Sequence, residues 1–371
     1  MRALLLSAYA AQSHRYWQEG LQQIFIDWEW IQLELPPRHF SWRVRGNPLY
    51  WSIAERERLQ ADWDVVVATS MVDLATLRGL VPSLGSVPAL LYFHENQFEY
   101  PVNHQQHSLL EAQMVSLYAA LAATIIVFNS AYNRDTFLAG VSSLLARLPD
   151  RVPAGVVSLL AQKAQVLPVP LLPAPAGASS RKWFSSGSSA PLRLLWSARF
   201  EHDKGGENLA LLLAELERAG LHYEIAITGQ QFRNTPAIFS DIQTRYAHRL
   251  VHFGYIQDVA DYRALQGEAD VVVSTALHEF QGLAVMEAVA AGCVPVVPDR
   301  LAYRELYPRE YRYSSLPGSP REEASGAAAL ILAMASSLPP APDMSGFTVA
   351  GLKPRYRDTL SELQDSQSLP S

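Results

Sequence analysis

Short runs of β-branched and other apolar residues recur at Val65–Ala68, Ala89–Phe93 and Thr124–Phe128, and longer stretches of helical character separate them. A strand that reads as one continuous apolar run is buried on both faces, and strands alternating with helices build βαβ units around a parallel sheet. An opening run, Ala3–Leu6, followed by a polar loop at Gln12, Ser13 and His14, fits the same plan. The rhythm breaks at residues 167–191, LPVPLLPAPAGASSRKWFSSGSSAP, whose Pro, Ser, Gly and Ala content is that of a linker. It then resumes with expected strands at Leu192–Ser197, Tyr223–Thr228, Leu250–Phe253, Val271–Ser274 and Val294–Val297. Expected helices are Asn208–Arg218, closed by Gly220, and Leu283–Ala291, stopped by Gly292 where a C-cap glycine belongs. Two further helices are read at Ala324–Ser336 and Tyr356–Leu363. No repeat at a solenoid period is visible.

A chain of 371 residues exceeds what one core holds, and about two domains of roughly 150 residues fit it. We expect an N-terminal domain over 1–168, a linker over 169–191, a C-terminal domain over 192–340, and a tail over 341–371 whose helix returns to the N-terminal domain. A hydrophobic share of 49% fills two cores and excludes disorder. The net charge of −6 excludes a uniformly basic nucleic-acid coat and leaves room for local basic patches. One cysteine, Cys293, can build neither an internal disulfide nor a cysteine-based zinc cluster, which fits a reducing cytoplasm and reads as a buried apolar side chain. The first ten residues imitate a secretory signal, yet their apolar patch is too short. The longest apolar run, Val115–Phe128, is shorter than the roughly 18 residues of a membrane span and splits into helix end and strand. No membrane association and no obligate protein partner are expected.

Two such domains place a cleft between the carboxyl ends of two parallel sheets, where open α/β folds bind ligands. Dinucleotide chemistry needs Gly-x-Gly-x-x-Gly after the first strand, and P-loop chemistry needs a Walker sequence; the chain has neither. The carboxylates Glu279 and Glu287 lie eight residues apart, one in a loop after a buried strand and one in the helix that follows. They can hold two separate sets of hydroxyls. Between them Gly282 permits close backbone approach, and the helix start offers N–H groups to an anion. After the strand ending at Ser197, Arg199 and Lys204 precede Gly205 and Gly206 and a helix start, a combination suited to a diphosphate. In the first domain the strand ending at Phe93 runs into His94, Glu95, Asn96 and Gln97. Histidine there can bond a sugar hydroxyl or carry a proton near neutral pH. The segment from Arg38 to Arg45 carries three arginines, Arg38, Arg43 and Arg45, and no acid, interleaved with Phe40 and Trp42; a second basic patch is Arg181 and Lys182 beside Trp183. Guanidinium groups on phosphates and rings on unpaired bases are how single-stranded loops are held.

Arg199 with Lys204, the pair Glu279 and Glu287, and the run 290–297 resemble the second domain of retaining GT-B glycosyltransferases of the family-4 type. Over most of residues 4–313 the chain more closely resembles the tRNA-queuosine alpha-mannosyltransferases, through Ser13 with His14, residues 42–45, 91–97, 127–130 and 201–205, and His278 to Phe280. Where such enzymes carry a Gly-Gly pair before Ser-His, this chain has Ala11 and Gln12. The resemblance implies two Rossmann-like domains, GDP-mannose as donor, and the queuosine base at the wobble position of tRNA-Asp as acceptor. It also implies no cofactor and no metal. By residue it implies that Arg199 and Lys204 hold the diphosphate, Glu287 the ribose and Glu279 the transferred sugar, with His94 beside the reaction centre. Tyr255, Phe280, Gly282 and Leu283 complete the donor set, and Ser13, His14, Arg38, Trp42, Arg43, Arg45 and Asn96 the acceptor set. Two other functions stay open on the residues alone: a family-4-type transferase acting on a lipid or polysaccharide, and a non-catalytic sugar-nucleotide or RNA-binding module. The linker and Ala324–Ser336 provide no basic amphipathic helix, which counts against a lipid acceptor.

Overall fold

A computed structural model describes residues 1–99, 109–173, 183, 191–232 and 235–365. The chain divides into two compact units, Met1–Leu172 with Phe347–Ser371, and Pro173–Gly346.

The first unit contains β1 (Arg2–Ser7), β2 (Glu29–Glu34), β3 (Val65–Thr69), β4 (Ala89–Phe93), β5 (Ile125–Phe128) and β6 (Ala164–Val166). Its helices are α1 (Gln12–Ile24), α2 (Phe40–Ala54), α3 (Arg56–Leu59), α4 (Leu74–Leu80), α5 (Leu109–Ala122), α6 (Ala131–Leu145) and α7 (Val156–Gln162). All strand pairs are parallel, in the order β2-β1-β3-β4-β5-β6. β3, β4 and β5 are buried at every position, as continuous apolar runs demand.

Gln12, Ser13 and His14, read as a loop, form the first turn of α1 instead. That helix is fixed by a buried face of His14, Trp17, Gln18, Leu21 and Ile24, whose spacing is helical although its first members are polar.

The second unit contains β7 (Leu192–Ser197), β8 (Tyr223–Thr228), β9 (Leu250–Gly254), β10 (Val271–Val273), β11 (Val294–Pro298) and β12 (Arg312–Tyr313), in the order β12-β11-β10-β7-β8-β9 and again parallel. Its helices are α8 (Gly206–Arg218), α9 (Ile238–Arg245), α10 (Val259–Glu268), α11 (Leu283–Ala290), α12 (Tyr303–Leu306) and α13 (Pro320–Ala335). α14 (Val349–Asp365) follows and belongs to the first unit, where it packs on α1. Its Tyr356 hydroxyl accepts a hydrogen bond from Trp17 Nε1 at 3.0 Å and donates to the Pro168 carbonyl at 2.9 Å. Among the described residues no helix is long and apolar enough to cross a membrane.

In each sheet the chain winds outward in one direction and then returns to the other side of its first strand. The switch lies between β1 and β3 in the first sheet and between β7 and β10 in the second. Loops leaving the carboxyl ends of the two strands at a switch point diverge, which opens a crevice for ligands.

Candidate active site

The switch point of the second sheet is where Lys204 and Glu279 meet. The loop after β7 brings Lys204, the loop after β10 brings Glu279, and Lys204 Nζ lies 3.2 Å from Glu279 Oε2. The two loops are joined along their backbones: Leu277 and His278 donate N–H bonds to the Asp203 carbonyl, and Thr275 Oγ1 donates to the Lys204 carbonyl at 2.9 Å. Gly205 makes the approach possible. Its φ is +71°, and a Cβ there would run into the Thr275 carbonyl oxygen.

Lys204 is buried, and all three of its N–H groups have acceptors: the His278 carbonyl at 2.9 Å, Glu279 Oε2, and Asp203 Oδ2 at 3.1 Å. Burial alone would depress its pKa, but Glu279 and then Asp203 outweigh that and hold it above the ordinary lysine value. Burial likewise works to raise Glu279, and Lys204 pulls it below the usual carboxylate value. The pair is therefore ionised throughout the neutral range. The other Glu279 oxygen, Oε1, accepts from Phe280 N at 3.1 Å, so the carboxylate is fixed in orientation. Arg199 is half-exposed and pairs with Glu201 at 2.9 Å. Neither cation is bare.

Glu287, on α11, is paired with Arg263 of α10, and both side chains are largely buried. Nothing in the sequence points to Arg263; the Asp258 N-cap of α10 signals the helix but not what its next turn touches. Gly282, with φ +79°, is the N-cap of α11 and has no side chain to satisfy the first-turn N–H groups. A Cβ on it would crowd Tyr303 at 2.9 Å. Leu283 begins α11, Phe280 is buried three residues before it, and Tyr255 stands half-exposed just after β9.

At the carboxyl edge of the first sheet, His94 follows β4 and stacks on His14 of α1, with ring centroids 4.2 Å apart and planes 18° from parallel. Trp17 meets His94 edge-on at 5.2 Å and stacks on Tyr92 at 4.1 Å. Both imidazoles are buried, and His94 Nε2 and His14 Nδ1 have no hydrogen-bond partner. Burial, and then the neighbouring His14, push His94 well below the ordinary histidine pKa. Of the two roles open to it, bonding a sugar hydroxyl and carrying a proton, this favours the first: at pH 7 it is a neutral imidazole. His14 Nε2 lies 3.6 Å from Glu95 Oε2, and Ser13 is exposed.

Two acceptor candidates are otherwise engaged. Asn96 is buried, its amide nitrogen donating to Asn133 Oδ1 at 2.9 Å and its Oδ1 accepting from Phe98 N and Glu99 N. It shapes the loop and has no group left for a ligand. Arg45 is bound to Asp73, the N-cap of α4, and to Glu111 of α5 at 3.3 Å. The acids that the Arg38–Arg45 segment lacks are supplied by two other helices. Arg38 and Trp42 are exposed and Arg43 is partly buried at the start of α2. Arg181 and Lys182 lie outside the described residues, while Trp183 is buried.

Residues 2–171 match the family described as tRNA-queuosine alpha-mannosyltransferase N-terminal, and residues 183–315 match glycosyl transferases group 1. The chain is 32% identical over 290 residues to the tRNA-queuosine alpha-mannosyltransferase of Drosophila melanogaster, covering 76% of this chain and 75% of that protein. It is 30% identical over 126 residues to the GDP-mannose:cellobiosyl-diphosphopolyprenol alpha-mannosyltransferase of Xanthomonas oryzae, one third of each chain. In three dimensions it resembles Anabaena HepE, solved in complex with UDP, with a TM-score of 0.62 at 14% identity over 98% of this chain and 100% of that one.

Proposed function

This chain belongs to the tRNA-queuosine alpha-mannosyltransferase family and has the GT-B fold of its glycosyltransferases, and from that premise we propose that it transfers mannose from GDP-mannose to the queuosine base at the wobble position of tRNA-Asp, in the cytoplasm and with retention at the sugar carbon. The observation that carries the donor half of this reading is the Lys204–Glu279 pair at the switch point, next to the uncapped start of α11. The Xanthomonas relative, named as a GDP-mannose-dependent mannosyltransferase, supports the choice of donor. The Drosophila relative supports the acceptor.

In this reading the bond from the sugar's anomeric carbon to the β-phosphate oxygen breaks and its electron pair leaves on GDP. The acceptor hydroxyl forms the new bond on the same face and gives its proton to the departing diphosphate, so no protein base is required. Charge grows on the diphosphate, and Arg199, Lys204 and the α11 N–H groups meet it in place without a metal. Lys204 is already desolvated and held by two carboxylates, and it exchanges one of its three present acceptors for a phosphate oxygen as that charge develops. Arg199 exchanges its exposed contact with Glu201 for phosphate. Glu287, oriented by Arg263, takes the ribose hydroxyls and Glu279 those of the mannose, with Tyr255, Phe280, Gly282 and Leu283 around the donor. His94, neutral, hydrogen-bonds the donor sugar, and Ser13 and His14 border the acceptor. Arg38, Trp42 and Arg43 are the local patch through which a protein of net charge −6 meets tRNA.

The test is incubation with GDP-mannose, or with other sugar nucleotides, and tRNA with or without queuosine, followed by digestion and weighing of the nucleosides. One added hexose on queuosine, from GDP-mannose alone, is the expected result. Hexose from no donor on any nucleoside overturns the reading.

A further inference from the structure

On α2 the residues Trp42, Leu49, Tyr50 and Ile53 are exposed, and with Gly46 they fall on one helical face. Gly46 is nevertheless buried, because the Trp42 indole covers it. A Cβ built at position 46 would lie 2.5 Å from Cε2 and 2.7 Å from Cδ2 and Cζ2 of that ring. Cδ2 and Cε2 form the bond shared by the two indole rings, which an atom can approach so closely only from above the ring plane. The indole is therefore laid face-on against the helix backbone, and Trp42 still exposes 54% of its surface. One face is seated and the other is turned to solvent.

The charged residues nearest it in sequence, Arg38, Arg43 and Arg45, are positive. Arg38 is exposed, and Arg43 keeps a buried Nε with no hydrogen-bond partner, whereas Arg45 is neutralised by Asp73 and Glu111. A second copy of this chain suits such a face poorly, since a twofold contact would bring Arg38 and Arg43 against their own equivalents. A nucleic-acid loop suits it well: any base has a face to stack, and its flanking phosphates match the two arginines.

We propose that Trp42, held flat by Gly46, is a preformed stacking platform for one unpaired base of the acceptor RNA's loop, with Arg38 and Arg43 on the adjoining phosphates. This rests on the tRNA reading above and adds to it a residue, Gly46, whose role is to position the ring. Any side chain at 46 lifts the indole and spoils the platform.

The test measures KM for queuosine-containing tRNA and for GDP-mannose, together with equilibrium binding of an unmodified anticodon stem-loop RNA. The full-length protein is compared with Trp42→Ala, Trp42→Phe and Gly46→Ala, and sedimentation gives the oligomeric state of each. Trp42→Ala should raise KM for tRNA and weaken stem-loop binding about tenfold or more, with KM for the donor unchanged. Trp42→Phe should restore most of the loss, and Gly46→Ala should fall between. A wild type that modifies tRNA beside a Trp42→Ala variant with wild-type KM and binding overturns the platform and leaves the function standing. Conversion of a wild-type dimer to monomer by Trp42→Ala, with KM for tRNA unchanged, also overturns it in favour of a second copy. A wild type that neither binds nor modifies any tRNA removes the tRNA reading itself, and the platform with it.

Discussion

At the switch point of the C-terminal sheet, Arg199, Lys204 and Arg263 each lie in an ion pair, with Glu201, with Asp203 and Glu279, and with Glu287. At the carboxyl edge of the N-terminal sheet, two buried imidazoles stack on each other, one of them against the edge of Trp17, with two ring nitrogens unbonded. The first edge sets three cations against four carboxylates, which offsets part of the cost of burying them and fixes the groups before a ligand arrives. The second edge buries His94 as a neutral ring, and the Glu95 carboxylate lies 3.6 Å from its stacking partner His14. We read the first as built to receive an anion and the second as built to receive hydroxyls, and the variants that separate them follow from what each loses.

Lys204→Ala should have the largest effect. It removes the buried cation and strands two carboxylates, and kcat for sugar transfer should fall about 10²–10³-fold, as when one preorganised donor to a developing anion is lost. Arg199→Ala, at a half-exposed position, should cost less, and equal losses would remove the distinction between a built cation and a surface one. On the other edge, Tyr356→Phe leaves Trp17 Nε1 without its acceptor beneath the histidine stack. Denaturant unfolding should show a loss of about 1–3 kcal/mol, with GDP binding unaffected.

The neutral state of His94 makes the next difference. Its folded pKa lies below the unfolded value near 6.5, so the unfolded chain takes up a proton first as pH falls. This part of the stability is present above about pH 6.5 and is lost below it, by at most about 1.4 kcal/mol per pH unit. His94→Gln should flatten that slope in urea titrations between pH 7 and pH 5, and an unchanged slope would mean that His94 is not held neutral. Arg45→Ala should do least: its half-exposed pairing is worth about 1 kcal/mol or less, and KM for tRNA should stay put while Arg43→Ala raises it. The reverse order would return Arg45 to the acceptor surface.

Residue type and chain order made part of this legible in advance. The continuous apolar runs at 65–68, 89–93 and 125–128 could be little but doubly buried strands, and loops after such strands are where Lys204, Glu279 and His94 stand. Pairing was not legible, because it is made by elements far apart in the chain: Arg45 with Asp73 across 28 residues and Trp17 with Tyr356 across 339. Polar side chains at 12–14 concealed a helix whose buried face begins with a histidine. The run 94–97 is polar throughout, and the sequence does not show that Asn133 and the Phe98 and Glu99 backbone satisfy Asn96 from within the fold.

The division of labour between the two edges is tested most directly by equilibrium binding of GDP to the wild type, Lys204→Ala and His94→Ala, with sugar transfer to tRNA measured on the same preparations. Both variants should lose transfer, but only Lys204→Ala should lose GDP affinity, by about tenfold or more for one charged contact in a buried site. GDP affinity lost with His94→Ala, or kept with Lys204→Ala, would contradict the account.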